Sequence, residues 1–322
     1  LPPPLFSETA AERVPGIADA ADFEGFYQHV VSALKDTIAA GAEWRRKGGL
    51  LWREVNPCPF FSSTLTGCIA NADDYTTGSA SYNPAGLALV GFGTLVDSLH
   101  AIRSAVYEQS WLPLRQLRDV LAGNWQGEEA LRRRIIALPK FGHGDAEVDA
   151  LASRIARELA EFARTCLNER GGVFQPSFFV YYAFKTMGDR VRATPDGRRD
   201  GELLSQGVAP GRLRPSRSLT NVLRSVAKVD FSEYPGNAVV DVQLPLGEGM
   251  SARQLVAILR SFIKLGGPTL QFNCVSIDKL KEAQENPDEH RDLIVRISGL
   301  SAYFTCLTKD VQDEIICRTV MS

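Results

Sequence analysis

No Cys-x-x-Cys pair occurs in the 322 residues. The six cysteines, Cys58, Cys68, Cys166, Cys274, Cys306 and Cys317, stand singly, so a zinc or iron–sulfur site built on cysteines alone is not expected. Charge of one sign is also lacking. A net charge of −2 provides no basic field for nucleic acid or for an anionic membrane. No long apolar run is free of polar groups: residues 86–106 contain Asp97, His100 and Arg103, which fits a buried element and not a membrane span. No glycine-rich strand-to-helix turn leads into a Lys-Ser/Thr pair, so a phosphate loop is not expected. The opening Leu1-Pro2-Pro3-Pro4 has neither a basic segment nor an apolar core, so it does not read as a secretion signal. With unpaired cysteines this points to a reducing cytoplasm. An initiator methionine is missing as well, which leads us to expect that a gene does not start here. No internal repeat or long linker imposes a domain boundary.

What remains is ordinary globular material, 44% apolar and 23% charged. It is enough for two average domains or one large α/β domain. Apolar spacing predicts a helix over 22–47, with Phe26, Val30, Leu34 and Ile38 on one face. A Gly/Pro/Ser-rich passage follows over 48–86. A second helix carries Leu95, Leu99, Ile102 and Val106. The clearest stripe is Val148, Leu151, Ile155, Leu159, Phe162 and Cys166, stopped by Gly171 and Gly172. Residues 238–244 and the alternation Leu270, Phe272, Cys274 read as strands. Between them a Ser251/Gln254 capping box opens a helix that Gly266 and Gly267 close. Asp278 is expected to cap a short helix ended by Pro287. Residues 293–297 read as a short buried strand, and Val311, Ile315 and Ile316 as the inner face of a last helix.

The stretch LIVRISGLSAYFTCL, residues 293 to 307, sets a glycine turn among residues that favour burial. On physical grounds Gly299 is a turn glycine at positive φ. A second reading starts from what glycine lacks. Loss of a hydrogen from its Cα leaves a radical that can flatten, because no side chain clashes and both adjoining amides delocalise the spin. Such a radical needs enclosure away from oxygen. Thr194-Pro195-Asp196-Gly197 has turn chemistry. Asp97 and His100 read as hydrogen-bonded structural residues, and His143, between Gly142 and Gly144, as a loop residue.

The segment around Gly299 resembles the signature of glycyl radical enzymes, the family of pyruvate formate-lyase, glycerol dehydratase and choline lyase. Arg296, Ser298, Gly299, Ser301, Phe304, Gln312, Ile315, Arg318 and Thr319 fit its pattern, whereas Ile297 and Leu300 depart from it. Four further blocks match in order: Gly266-Gly267 through Gln271-x-Asn273 to Pro287; Ala193 through Arg199 with its Ser225-Val226-Ala227-Lys228 tail; Lys140 through Asp149; and Gly67 through Ile102. The resemblance implies an α/β fold, the C-terminal half of a ten-stranded barrel of the pyruvate formate-lyase type with a glycine-radical loop. Residues 1–189 would belong to the barrel and 190–322 to the glycyl radical domain. Gly299 would bear the radical, supported by Arg296, Ser298, Ser301 and Phe304. No bound cofactor or metal is implied; a separate S-adenosylmethionine-dependent iron–sulfur enzyme installs the radical. A cysteine relays the spin to a small-molecule substrate. Cys68 follows Gly67 as the catalytic cysteine does, but Ala70 lacks the expected carboxylate and the flanking block matches a later part of the family. Cys68 is therefore read as structural, and the thiyl loop is expected before Leu1, on a missing N-terminal half. The implied whole is a cytoplasmic homodimeric lyase, dehydratase or formate acetyltransferase-like enzyme, with this fragment inactive alone. The alternative is a non-catalytic spare part that complements a damaged partner enzyme.

Overall fold

The computed structural model describes residues 17–216, 218–243, 251–297 and 299–317. The chain divides into two compact units. One comprises residues up to Ala88 with Arg157–Ser177 and Glu233–Gly236; the other comprises Leu89–Ala156, Phe178–Ser232 and the residues from Asn237 onward.

In the first unit, helix α1 (Phe23–Val55) starts where the Asp22 carboxylate accepts the Gly25 N–H at 2.7 Å, which satisfies one orphan donor of the first turn. It runs through Gly48 and Gly49, past the expected end. Gly49 is buried, and the Glu169 side chain fills the space a Cβ would need. The glycine here makes room for a neighbour and does not stop the helix. The buried face is Phe26, Tyr27, Val31, Ile38 and Ala42, with Val30 and Leu34 half-buried beside it. Strands β1 (Ala85–Ala88) and β2 (Phe174–Ser177) pair in parallel, Ala85 opposite Phe174.

The second unit is organised on helix α2 (Phe92–Ile102), buried at every position except Leu95. Two hydroxyls lock its start: the Thr94 N–H donates to Ser205 Oγ at 3.0 Å, and the Ser205 N–H donates to Thr94 Oγ1 at 2.9 Å. A π-helical stretch, Arg103–Glu108, extends it. Helix α3 (Ala146–Ala163), whose residues up to Ala156 belong to this unit and the rest to the first, buries Val148, Leu151, Ile155 and Leu159 as expected. It ends well before Gly171, because the chain turns back to bridge Leu167 with Val173.

Strands β3 (Val239–Gln243) and β4 (Thr269–Asn273) are parallel, with helix α4 (Ala252–Lys264) between them in sequence. The Ser251/Gln254 capping box is present. Helix α5 (Ile277–Glu285) is capped by Ser276, whose side chain accepts the Lys279 N–H, and not by Asp278, which lies in its first turn. Strands β5 (Ile294–Ile297) and β6 (Leu300–Tyr303) form an antiparallel hairpin, and helix α6 (Lys309–Cys317) follows. The β5 segment alternates and is not buried on both faces: Val295 and Ile297 point inward and Ile294 outward. Val295, Ile297 and Phe304 join Val180, Phe184, Leu203, Leu204, Leu280, Ala283, Val311 and Ile315 in one apolar cluster. Among the described residues no helix is long and apolar enough to cross a membrane.

Candidate functional site

Side chains two apart on a strand share a face. On β4 these are Gln271 and Asn273, and both grip the hairpin. Asn273 makes two bonds to the backbone of Arg296. Its Nδ2 donates to the carbonyl at 2.8 Å, and its Oδ1 accepts the Arg296 N–H at 2.7 Å. Gln271 reaches the tip, where its Oε1 accepts the Gly299 N–H at 2.8 Å. On β3, Asp241 lies directly opposite Gln271 in the strand register. Its buried carboxylate accepts from Gln271 Nε2 and, at 2.6 Å, from Gln206 Nε2.

Gly299 has φ +85°, a conformation in which an L side chain is strained. A Cβ built there would meet only Phe179 Cε2, at 3.7 Å, an ordinary contact. The expected turn glycine at positive φ is present: the backbone angle demands glycine here, and the available space does not. Gly299 is half-buried. Of the apolar residues around it, Leu300 is 46% and Tyr303 53% exposed: Tyr303 pairs with outward-facing Ile294, whereas Leu300, opposite inward-facing Ile297, is left open at the end of the hairpin. Arg296 and Ser301 are cross-strand partners, with Arg296 Nη1 donating to Ser301 Oγ at 2.8 Å. Phe304 is fully buried at the hairpin base, and its N–H donates to the Leu293 carbonyl at 2.8 Å. Gln312 pins the exit of the loop, its Nε2 donating to the carbonyls of Phe304 (3.0 Å) and Leu307 (3.1 Å). Ser298, Arg318 and Thr319 lie outside the described residues.

The 194–200 block is a turn with an arginine threaded through it. Arg198, 2% exposed, donates to the carbonyls of Glu202 (2.6 Å), Val191 (2.8 Å) and Arg192. Gly197 has φ +104° and lies against Ile136 and Arg132. Nearby, Lys140 is buried, donating from Nζ to the Asp196 carbonyl at 3.3 Å, and the Phe141 N–H donates to Asp97 Oδ1 at 2.7 Å. Burial pushes the Asp97 carboxyl up to about 7, against the opposing pull of Lys140. It raises Asp196 too and lowers Arg198. His100 is buried with neither ring nitrogen bonded to a described protein group, contrary to the expected hydrogen bond, and burial lowers its pKa. His143 Nε2 is 2.8 Å from the Arg214 carbonyl, a loop contact as expected. Cys68, 2% exposed, begins a one-turn helix, Cys68–Asn71, in the first unit, whereas Gly299 belongs to the second.

Gln271, Asn273 and Asp241 were not singled out as site residues from sequence. The Gln-x-Asn spacing on a strand is the local sign that two polar side chains face one way. Nothing local marks Asp241 as the partner of Gln271.

The sequence profile of the pyruvate formate lyase-like family matches residues 7–186, and that of the glycine radical domain matches residues 204–305. The chain belongs to the pyruvate formate lyase-like family. As a member, this glycyl radical family protein is 30% identical over 308 residues to trans-4-hydroxy-L-proline dehydratase of Clostridioides difficile, covering 94% of the chain and 39% of that relative. It is 32% identical over 235 residues to isethionate sulfite-lyase of Bilophila wadsworthia, covering 71% and 28%. The B12-independent glycerol dehydratase structure from Clostridium butyricum superposes with a TM-score of 0.87 at 29% identity, over 95% of this chain and 39% of that one. The hydroxyproline dehydratase structure from Clostridioides difficile, with substrate bound, gives 0.88 at 26% identity, over 95% and 39%. The fold is therefore that of the family's α/β barrel, of which this chain forms part. It spans only 28% to 39% of the length of these relatives.

Proposed function

We propose that this chain is the radical-storing part of a glycyl radical lyase or dehydratase, with residues 1–189 belonging to the barrel and 190–322 forming the glycyl radical domain. Gly299 carries the radical after a separate S-adenosylmethionine-dependent iron–sulfur enzyme removes one Cα hydrogen. The carrying observation is the hairpin tip: a glycine at φ +85° whose own N–H is held by a side chain from the neighbouring strand. A turn needs only the angle, whereas a radical centre also needs a fixed amide plane. Arg296 and Ser301 brace the two strands, Phe304 anchors the base, and Ser298 adjoins the radical carbon in sequence. The spin passes to a cysteine outside this chain, which takes hydrogen from a small molecule before its bond breaks. Dehydratases and a sulfite-lyase among the relatives support elimination over acyl transfer. The partly exposed Phe179 and Leu300 beside the tip are the surface that the remaining barrel would cover in a cytoplasmic homodimer. The family match over residues 7–186 weighs against a spare part, which needs the radical domain alone.

The test is anaerobic activation of the complete enzyme with its activating enzyme and S-adenosylmethionine. An organic radical doublet is expected, split by the one hydrogen left on Cα. Air should then cut the backbone at Gly299 and release the piece that begins there. An intact chain by mass spectrometry, or a cut at another glycine such as Gly266, would reduce Gly299 to a turn.

A further inference from the structure

We infer that Asp241 and Gln271 act together as positioning residues, a relay that fixes the amide plane of the radical glycine from two strands away. The inference rests on Gly299 being the radical carrier. Gln271 could present either end of its amide to Gly299. An ionised carboxylate only accepts hydrogen bonds, so Asp241, opposite in the β3–β4 register, draws the Gln271 NH₂ toward itself. That leaves Oε1 aimed at the tip, where it accepts the Gly299 N–H at 2.8 Å. Gln206, donating to the other carboxylate oxygen at 2.6 Å, fixes Asp241 in turn. From Gly299 through Gln271 each bond thus runs donor to acceptor toward Asp241, where the bond from Gln206 converges.

Two consequences follow for a radical on this Cα. Holding the N–H keeps the Ser298–Gly299 peptide plane in one orientation, which overlap of the spin with the nitrogen lone pair requires. An acceptor on that N–H also leaves the nitrogen richer in electrons, which favours its donation into the half-filled orbital. A turn glycine would gain nothing from the second effect.

The test compares amide exchange in the complete, unactivated enzyme with the radical signal after activation. In Gln271→Leu, the Gly299 amide should exchange roughly two- to tenfold faster, the range of one neutral hydrogen bond. The Phe304 amide, bonded to Leu293 at the hairpin base, should be unchanged. Asp241→Asn alone lets the Gln271 amide flip and should have the same effect. The swapped pair, Asp241→Asn with Gln271→Glu, reverses donor and acceptor between the strands while keeping an oxygen toward Gly299 and an acceptor for Gln206. Protection of Gly299 should return in it, and the doublet splitting should return toward the wild-type value after shifting in the single variants. A Gly299 amide that exchanges at the wild-type rate in Gln271→Leu would overturn the relay. So would a swapped pair no better than the single variants, or a loss of protection equal at Phe304. Because exchange is read before activation, failure of the relay is distinguishable from failure of the radical reading, which appears as a wild-type enzyme without a doublet.

Discussion

Replacing Gly299 by alanine should separate the two demands placed on this position. The added Cβ meets nothing closer than Phe179 Cε2 at 3.7 Å, so no clash expels the loop. The cost lies in the angle: at φ +85°, an L residue is strained by about 1–2 kcal/mol. A loss of that size lowers the melting temperature by roughly 2–4 °C per kcal/mol in a domain of this order. The hairpin also keeps its other attachments, the two Asn273 bonds and the buried Phe304. Gly299→Ala should therefore fold, melt a few degrees low and keep the Phe304 amide protected. It should nevertheless yield no radical doublet and no cleavage in air, because flattening at Cα drives the methyl group into the plane of both amides. Calorimetry, electron paramagnetic resonance and mass spectrometry on one preparation suffice. A folded variant with the wild-type radical would refute the assignment. A variant that fails to fold would refute the reasoning from space and angle.

Two further outcomes are expected. Asp97, held up at about 7 by burial, is favoured in its protonated form by folding. Its contribution is fully present below the ordinary carboxylate pKa and is lost as pH rises through 7; Asp97→Asn lacks this dependence, so its stability relative to wild type should rise by about 3 kcal/mol between pH 5 and 8, and a flat difference in denaturant titrations would dismiss the idea. The 322-residue chain with activating enzyme should turn over no substrate, and lyase activity that Cys68→Ser abolishes would instead make Cys68 the relay cysteine.

Elements whose signals lie within a few residues were legible in the sequence. The Ser251/Gln254 box and the Val148 to Leu159 stripe are local, and both formed as read. Errors arose where local signals compete or where a distant partner decides. Ser276 and Asp278 are both good caps two residues apart, and only Ser276 falls at the N-cap. Gly49 looked like a stop until Glu169 occupied its empty side. At the site, the turn glycine was legible because glycine alone suits the positive angle found there. The grip on it was not, since Gln271 and Asp241 become neighbours only when β3 and β4 pair. The exposure of Ile294 and Tyr303 follows from alternation on a hairpin that apolar content alone had made look buried throughout.

The shared apolar cluster determines which piece of the protein could swing out to offer Gly299 to another enzyme. Peeling the hairpin away alone would strip Val295, Ile297 and Phe304 from their neighbours, at roughly 1.5–3 kcal/mol for each side chain. Leu280 and Ala283 of α5 and Val311 and Ile315 of α6 belong to the same cluster. If these helices travel with the hairpin, most of that contact travels too. The seam then opens against Val180, Phe184, Leu203 and Leu204. The polar links across it include Tyr182 Oη with Thr308 Oγ1 and Lys185 Nζ with Asp310 Oδ2, each at 3.2 Å. Both are near enough to solvent for water to replace them, whereas the bonds from Gln271 and the buried Asn273 must be broken as the plug leaves. Within the second unit, Gly299 is thus mounted on a plug about forty residues long, held in place by one greasy wall and a few polar bonds.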